Sequence, residues 1–406
     1  MQTALADWIR DTPEGREADA ILRKCVHCGF CTATCPTYQL LGDELDGPRG
    51  RIYLMKQALE GHPVTARTQL HLDRCLTCRN CETTCPSGVQ YGRLLDIGRA
   101  VVDRRVPRPL SQRLVRTALK EGLTSPLFAP AMKLGQAVRP LLPASLKLKV
   151  PAKQDAGRWP TRSHARRMLL LEGCVQPAMQ PNINTATARV FDALGIELLR
   201  PANAGCCGAI RYHLNDHDGG LADARANIDA WWPHVEAGCE AIVMNASGCG
   251  AMVKEYGHLL RNDPAYADKA QRIAALTKDV VELLSVWPDE LKRKLGPAPA
   301  QRVVFHPPCT LQHAQKIRGA VEDLLRALGA EVLPFAESHF CCGSAGTYSV
   351  LQPELAYRLR DRKLANLQAP KPDVILSANI GCIAHLASGT DTPVMHWIEW
   401  VDRRLG

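Results

Sequence analysis

Eight cysteines near the start of the chain constrain it more than any other feature, because they form two near-copies of one pattern. The first copy reads Cys25-Val-His-Cys28-Gly-Phe-Cys31-Thr-Ala-Thr-Cys35-Pro36, and the second reads Cys75-Leu-Thr-Cys78-Arg-Asn-Cys81-Glu-Thr-Thr-Cys85-Pro86. Three thiols spaced by two residues wrap one side of a polynuclear centre. The fourth follows after three more residues, and the proline behind it turns it away. A single zinc tetrahedron prefers two cysteine pairs separated by a loop, so four thiols packed this tightly suit it poorly. Disulfides suit a small secreted domain. Here the seventeen cysteines are an odd number, and the opening stretch MQTALADWIRDTPEGREAD carries acids and no apolar run of a secretory signal. Metal-bound thiolates in a reducing compartment are the expected state.

The spacing resembles that of two-cluster bacterial ferredoxins, whose fourth cysteine ligates the other cluster. Two [4Fe-4S] clusters follow, one on Cys25, Cys28, Cys31 and Cys85, the other on Cys75, Cys78, Cys81 and Cys35. Crossed ligation ties the halves together, so the module is expected to need iron and sulfide to fold. Residues 1 to about 24 read as one leading helix, and 52–59 and 91–102 as further helices. Cysteine runs joined by helices predict an all-α ferredoxin-like module over residues 1–103. Arg49 and Arg51 read as a solvated face or a helix N-terminal decoration, ahead of a dock for a partner's carboxylate.

Residues 104–165 form a basic, proline-rich linker. Between Val101 and Leu170 fifteen Lys/Arg face three Asp/Glu, so the net charge of +9 is concentrated here. The favoured reading is a solvated, partly helical connector packing on its neighbours. An amphipathic segment resting on anionic lipid comes second. Nucleic-acid binding is a poor third, for no interleaved aromatic residues accompany the charge.

From Arg166 short apolar runs alternate with helical patterns, the texture of βαβ units. Cys174 is followed thirty-two residues later by Cys206-Cys207-Gly208, and Cys309 by Cys341-Cys342-Gly343 at the same interval; Cys249 and Cys382 close the copies. Corresponding cysteines lie 135, 135, 135 and 133 residues apart, which marks a tandem duplication. Two α/β cysteine-rich domains are expected, over 166–295 and 300–406. Strands at 168–171, 242–244, 303–305 and 374–376 run toward the cysteines, and helices at 187–194 and 321–328 end at Gly195 and Gly329. Ligands in parallel α/β domains sit at that edge of the sheet. Adjacent cysteines have alpha carbons about 3.8 Å apart, too close for a relaxed disulfide. Each quartet, Cys174, Cys206, Cys207 and Cys249 or Cys309, Cys341, Cys342 and Cys382, therefore suits one more iron–sulfur cluster ahead of a zinc or idle thiols. His306, His313 and His339 read as packed histidines before cluster-tuning ones. Cys239 reads as a small buried hydrophobe. No Rossmann glycine fingerprint is present, so no flavin or NAD site is expected on this chain.

Two four-cysteine runs followed by two Cys-Cys-Gly repeats resemble the iron–sulfur subunits of a family of membrane-associated dehydrogenases and reductases. That family includes the iron–sulfur component of anaerobic glycerol-3-phosphate dehydrogenase, the lactate-utilisation proteins and heterodisulfide reductase. The resemblance covers nearly the whole chain. The stretches CVHCGFCTATCPTYQLLGDELDGPRGRIYL, CLTCRNCETTCPSGV, NIDAWWP, ASGCGAMVKEYG, CTLQHAQK, HFCCGSAGTYS and NIGCIAHL look specifically like glycolate oxidase iron–sulfur subunits. The resemblance implies a division of labour. FAD-containing flavoprotein subunits oxidise glycolate to glyoxylate, and a chain like this one passes the electrons through its clusters to a quinone or another membrane acceptor. It implies no catalytic residue for substrate oxidation here, no nucleic-acid partner, and a cytoplasmic location, peripheral on the inner membrane. The resemblance also admits a subunit of a lactate or glycerol-3-phosphate dehydrogenase, or a thiol–disulfide reductase acting at the Cys-Cys-Gly repeats. The fuller family pattern ends each repeat with C-x-x-C, and Ala246 and Asn379 stand at the first of those cysteines. That departure argues against the reductase and against a five-thiolate cluster.

Overall fold

Thr12-Pro13 splits the expected leading helix. In the computed structural model, which describes residues 1–147, 150–297 and 301–405, α1 (Asp7–Arg10) and α2 (Pro13–Lys24) replace it. Pro13 takes the first helical position, where its missing N–H costs nothing, and the Thr12 hydroxyl accepts the Gly15 N–H at 3.0 Å. Gly15 permits the sharp entry, since a Cβ there would strike the Ile9 carbonyl oxygen.

The chain divides into two units, Met1–Arg116 with His339–Lys363, and Thr117–Ser338 with Leu364–Gly406. The first is helical, with no strand among its described residues. After α2 come α3 (Phe30–Ala33), α4 (Pro36–Leu41), α5 (Pro48–Leu59), α6 (Ala66–Asp73), α7 (Asn80–Thr84) and α8 (Tyr91–Arg105). Leu22, Ile52, Met55, Leu59, Leu72, Leu94 and Leu95 make its core, and Cys25, Cys75 and Cys81 pack into the same cluster. Gly98 lets α8 close on α5, because a Cβ there would come 2.5 Å from the Met55 side chain.

The basic stretch that follows carries α9 (Leu110–Thr124), α10 (Phe128–Ala137) and α11 (Ala144–Lys147). Beyond it lie two four-stranded parallel sheets. The first orders its strands β2-β1-β3-β4, from β1 (Arg166–Leu170), β2 (Ile196–Leu199), β3 (Ile242–Met244) and β4 (Thr277–Asp279). The second repeats that order as β6-β5-β7-β8, from β5 (Arg302–His306), β6 (Glu331–Val332), β7 (Val374–Ser377) and β8 (Val394–His396). The α plus α/β class and the duplication expected from the cysteine spacing are both present.

Alternate residues of β1 serve opposite faces. Leu169 and Leu171 join a cluster with Trp231, Ile242 and Tyr256. Met168 and Leu170 face a larger cluster that runs into the second sheet through Phe305, Leu376, Trp397 and Trp400. The two repeats therefore share one core.

His396 stitches that shared core. It is fully buried, its Nε2–H donates to the Asn245 carbonyl oxygen at 2.8 Å, and its Nδ1 accepts the Ile398 N–H at 3.1 Å. Both ring nitrogens are committed to the neutral form, and burial drives the pKa down to about 3. The unfolded chain binds a proton near pH 6.5 that the folded chain refuses. Stability is thus complete above that pH and lost as pH falls from about 6.5 toward 3, by a few kcal/mol. Denaturant titrations at pH 7 and pH 4.5 should show the loss, and His396→Gln should remove that part of the pH dependence.

Candidate metal centres

Both cysteine runs use the same unusual backbone. The residues two and four places after the first cysteine are left-handed in each copy: His27 (φ 58°) and Gly29 (φ 85°), then Thr77 (φ 53°) and Arg79 (φ 57°). Alternating left-handed residues fold three cysteines around one point, and the Thr77 N–H donates to the Cys75 Sγ at 3.4 Å. Only Gly29 announces this in the sequence. The other three accept a strain of about 1–2 kcal/mol each. Each third cysteine, Cys31 or Cys81, rides on a short helix, α3 or α7. Between those helices the Asn80 side chain donates to the Thr34 carbonyl oxygen at 2.9 Å.

The eight thiols fall into two groups that mix the runs. Burial pushes the Cys31 thiol up to about 11, and Cys25, Cys85 and Cys28 press in the same direction. An open cleft lies among these residues, with Cys81 also on its wall. Burial also raises Cys81 well above the thiol range, and there the neighbours are Cys78, Cys75 and Cys35. A second cleft is lined by Cys35, Cys75, Cys78 and Cys81. Buried thiols that repel one another ionise only when a cation accepts them together, which is the chemistry of an iron–sulfur site. The donor sets fit the clusters.

Charge is distributed unequally between the groups. Arg51 is not a solvated surface residue as expected: it is 1 % exposed. Its Nε donates to the His71 carbonyl oxygen at 2.7 Å, one terminal nitrogen to Thr37 Oγ1 at 3.1 Å, and the other to Asp46 Oδ1 at 3.4 Å. Thr37 Oγ1 lies 3.3 Å from Cys35 Sγ. The buried Asp46 carboxylate is also held by Arg74 at 2.8 Å and His71 Nδ1 at 3.1 Å. Burial raises the Cys35 thiol and Arg51 opposes it. From the other run, the Tyr91 hydroxyl donates to Cys75 Sγ at 3.6 Å, and Arg99 donates to the Leu72 and Cys75 carbonyls. The Cys75 group is thus buried among cations. The Cys25 group opens at exposed Cys28, flanked by exposed Val26 and Phe30.

In the first Cys-Cys-Gly repeat the four thiols converge at the carboxyl ends of three adjacent strands. Cys174 follows β1, Cys206 and Cys207 follow β2, and Cys249 lies on the helix Ser247–Lys254 after β3. Cys174 and Cys207 both hydrogen-bond Cys206, and Cys207 also meets Cys249. Hydrogen bonds from the two thiols, helped by the Gly208 N–H and Arg211, hold Cys206 below the thiol range. The same bonds raise its two donors. Asn227 clamps the loop, donating to the Cys206 carbonyl at 2.7 Å and accepting the Gly205 N–H at 2.8 Å. Gly208 is required twice over: its φ is +88°, and a Cβ would collide with the Gly220 carbonyl oxygen. Gly343 repeats this at φ +91° against Ala356.

In the second repeat Cys309 and Cys382 belong to the larger unit, while Cys341 and Cys342 belong to the smaller; all four are buried. His306 and His313 are buried. Cys239 lies in the core beside Trp231. Asn379 stands at the position just before the helix Ile380–Ala387. Its Oδ1 accepts the Gly248 N–H at 3.2 Å, and its Nδ2 lies 3.8 Å from Cys382 Sγ. The substituted position joins one repeat to the other.

Comparison with known proteins places these centres in context. A 4Fe-4S dicluster domain family matches residues 21–89, and a cysteine-rich domain family matches 168–254 and 303–387. The chain is 56 % identical to the glycolate oxidase iron–sulfur subunit of Escherichia coli, covering 100 % of this chain and 99 % of that one. It is 30 % identical to the probable glycolate oxidase iron–sulfur subunit of Bacillus subtilis, over 94 % of this chain and 92 % of the relative. Lactate utilization protein A of Bacillus licheniformis is 29 % identical over 57 % of this chain and 97 % of its own length.

Proposed function

The chain belongs to the family of glycolate oxidase iron–sulfur subunits, and from that membership we propose that it removes the electrons of glycolate oxidised on partner subunits. It is an iron–sulfur electron-transfer protein with [4Fe-4S] clusters. Those clusters supply one-electron redox chemistry when bound.

The chain's own residues hold and insulate that chemistry. We assign Cys25, Cys28, Cys31 and Cys85 to one cluster and Cys75, Cys78, Cys81 and Cys35 to the other. The observation that carries the reading is the sorting of eight thiols into two groups, each drawing its fourth member from the opposite run. Exposed Cys28, Val26 and Phe30 make the first group the side of exchange with an FAD-containing flavoprotein subunit. Burial and Arg51 make the second group the interior station. The proposed acceptor is a quinone, reached peripherally at the cytoplasmic face of a membrane. No described helix is long and apolar enough to cross one.

Cys28→Ser in the assembled complex tests this. Glycolate-driven reduction of an artificial dye at the flavin should continue near the wild-type rate, while quinone reduction falls close to zero. Quinone reduction at the wild-type rate would reject the assignment.

We further propose a metal centre on Cys174, Cys206, Cys207 and Cys249, and by the internal repeat another on Cys309, Cys341, Cys342 and Cys382. The linking of Cys174, Cys206, Cys207 and Cys249 into one hydrogen-bonded group supports the first. Cys206→Ser should lower the iron of an anaerobic preparation by about four atoms per chain if the centre is a cubane. Loss of one zinc instead would give the same cage a different metal, and unchanged iron and zinc would remove the centre.

A further inference from the structure

We propose that α10 and the 3₁₀ turn after it, Arg139–Leu141, form the surface on which this chain rests against an anionic lipid bilayer. The inference rests on the membrane-acceptor reading above and names the surface that reading requires. Ala131 and Leu134 lie three residues apart on one face of α10, Leu127 and Val138 border its two ends at the same four-residue spacing, and Leu141 closes the 3₁₀ turn. All five are exposed, with Leu127 at 73 %, Leu134 at 67 % and Leu141 at 86 %. The opposite face is anchored. Gln136 is buried and its side chain donates to the Ala178 carbonyl oxygen at 3.3 Å, fixing α10 against the helix Gln176–Met179.

Single exposed leucines are ordinary, but an unbroken row facing water is not. The charge around it selects the occupant. From Gly122 to Gln154 there are five Lys/Arg and no Asp/Glu, and Lys133 stands exposed on α10 itself. A partner protein's face would call for aromatic anchors in its centre. This row is wholly aliphatic, and Phe128 is only partly exposed. Aliphatic side chains between lysines and arginines are what an interfacial helix presents to acidic headgroups.

The test uses the full chain purified anaerobically with its clusters. It should sediment with phosphatidylcholine vesicles containing about 30 % phosphatidylglycerol and much less with phosphatidylcholine alone. L134E/L141E should bind the acidic vesicles at least about tenfold more weakly, with iron content and circular dichroism unchanged because both positions are exposed. Wild-type vesicle binding by that variant would overturn the proposal. So would loss of assembly with the flavoprotein subunits at unaltered vesicle affinity, which would give the row to a protein partner. Reduction of a short-chain, water-soluble quinone separates the two ideas. It should survive in L134E/L141E, whereas its absence in the wild-type complex would strike the acceptor reading and leave the surface standing.

Discussion

Replacing Arg51 with methionine is expected to lower the midpoint potential of the cluster on Cys35, Cys75, Cys78 and Cys81 by on the order of 100 mV. A unit charge in the side-chain layer next to a cluster contributes roughly 2–4 kcal/mol at an effective dielectric constant near 20. About 1.4 kcal/mol corresponds to roughly 59 mV for one electron. The guanidinium is buried, so solvent screens it little, and it reaches Cys35 through Thr37. Removing it favours the more oxidised, less negative cluster, and the potential falls. Asp46 keeps Arg74 and His71, so the fold should survive with a loss on the order of 1–3 kcal/mol. An EPR-monitored redox titration reads the shift. Arg51→Lys should recover most of the potential while remaining less stable, because an ammonium keeps the charge and loses the planar fork. A potential unmoved in Arg51→Met would show that the charge is compensated by Asp46 alone.

Cys85→Ala gives the second large effect. If ligation is crossed, removing the last cysteine of the second run destroys the cluster of the first. About four irons should be lost, and the surviving cluster should still respond to Arg51→Met in the double variant. If each run served its own cluster, the survivor would be the one on Cys25, Cys28, Cys31 and Cys35. Adding Cys28→Ser to Cys85→Ala decides between them, since that pair should lose no further iron if ligation is crossed and about eight irons in all if each run serves itself. The thermal midpoint should also fall sharply, because metal binding and folding are coupled and each cluster bridges both runs.

Much of the metal chemistry is legible in the sequence. The proposed grouping of Cys25, Cys28, Cys31 with Cys85, and of Cys75, Cys78, Cys81 with Cys35, is what the spacing and trailing proline shared with two-cluster ferredoxins lead one to expect. The duplication is legible as a constant interval, and the two identical strand orders follow from it. Arg51 reads as surface and is not. It lies one residue before Ile52 and four before Met55, on the inward face of α5 with Ala58 and Leu59. Helical periodicity therefore marks the position as buried, but the identity of the residue argues the other way. The break at Thr12-Pro13 is also readable, since a proline after a threonine is a helix start.

Residue order alone tells how many thiols are available, how they are spaced, and that the second half is a doubled α/β unit. Spacing along a chain is enough for that, because ligand sets and strand order are built from short segments. Only packing in three dimensions settles which charges enter the interior and which apolar row is left facing outward. Arg51 is tolerable in the core only because Asp46, Thr37 and the His71 carbonyl, brought in from other segments, replace the water it loses. Desolvation is settled by neighbours distant in sequence, and no local pattern records them.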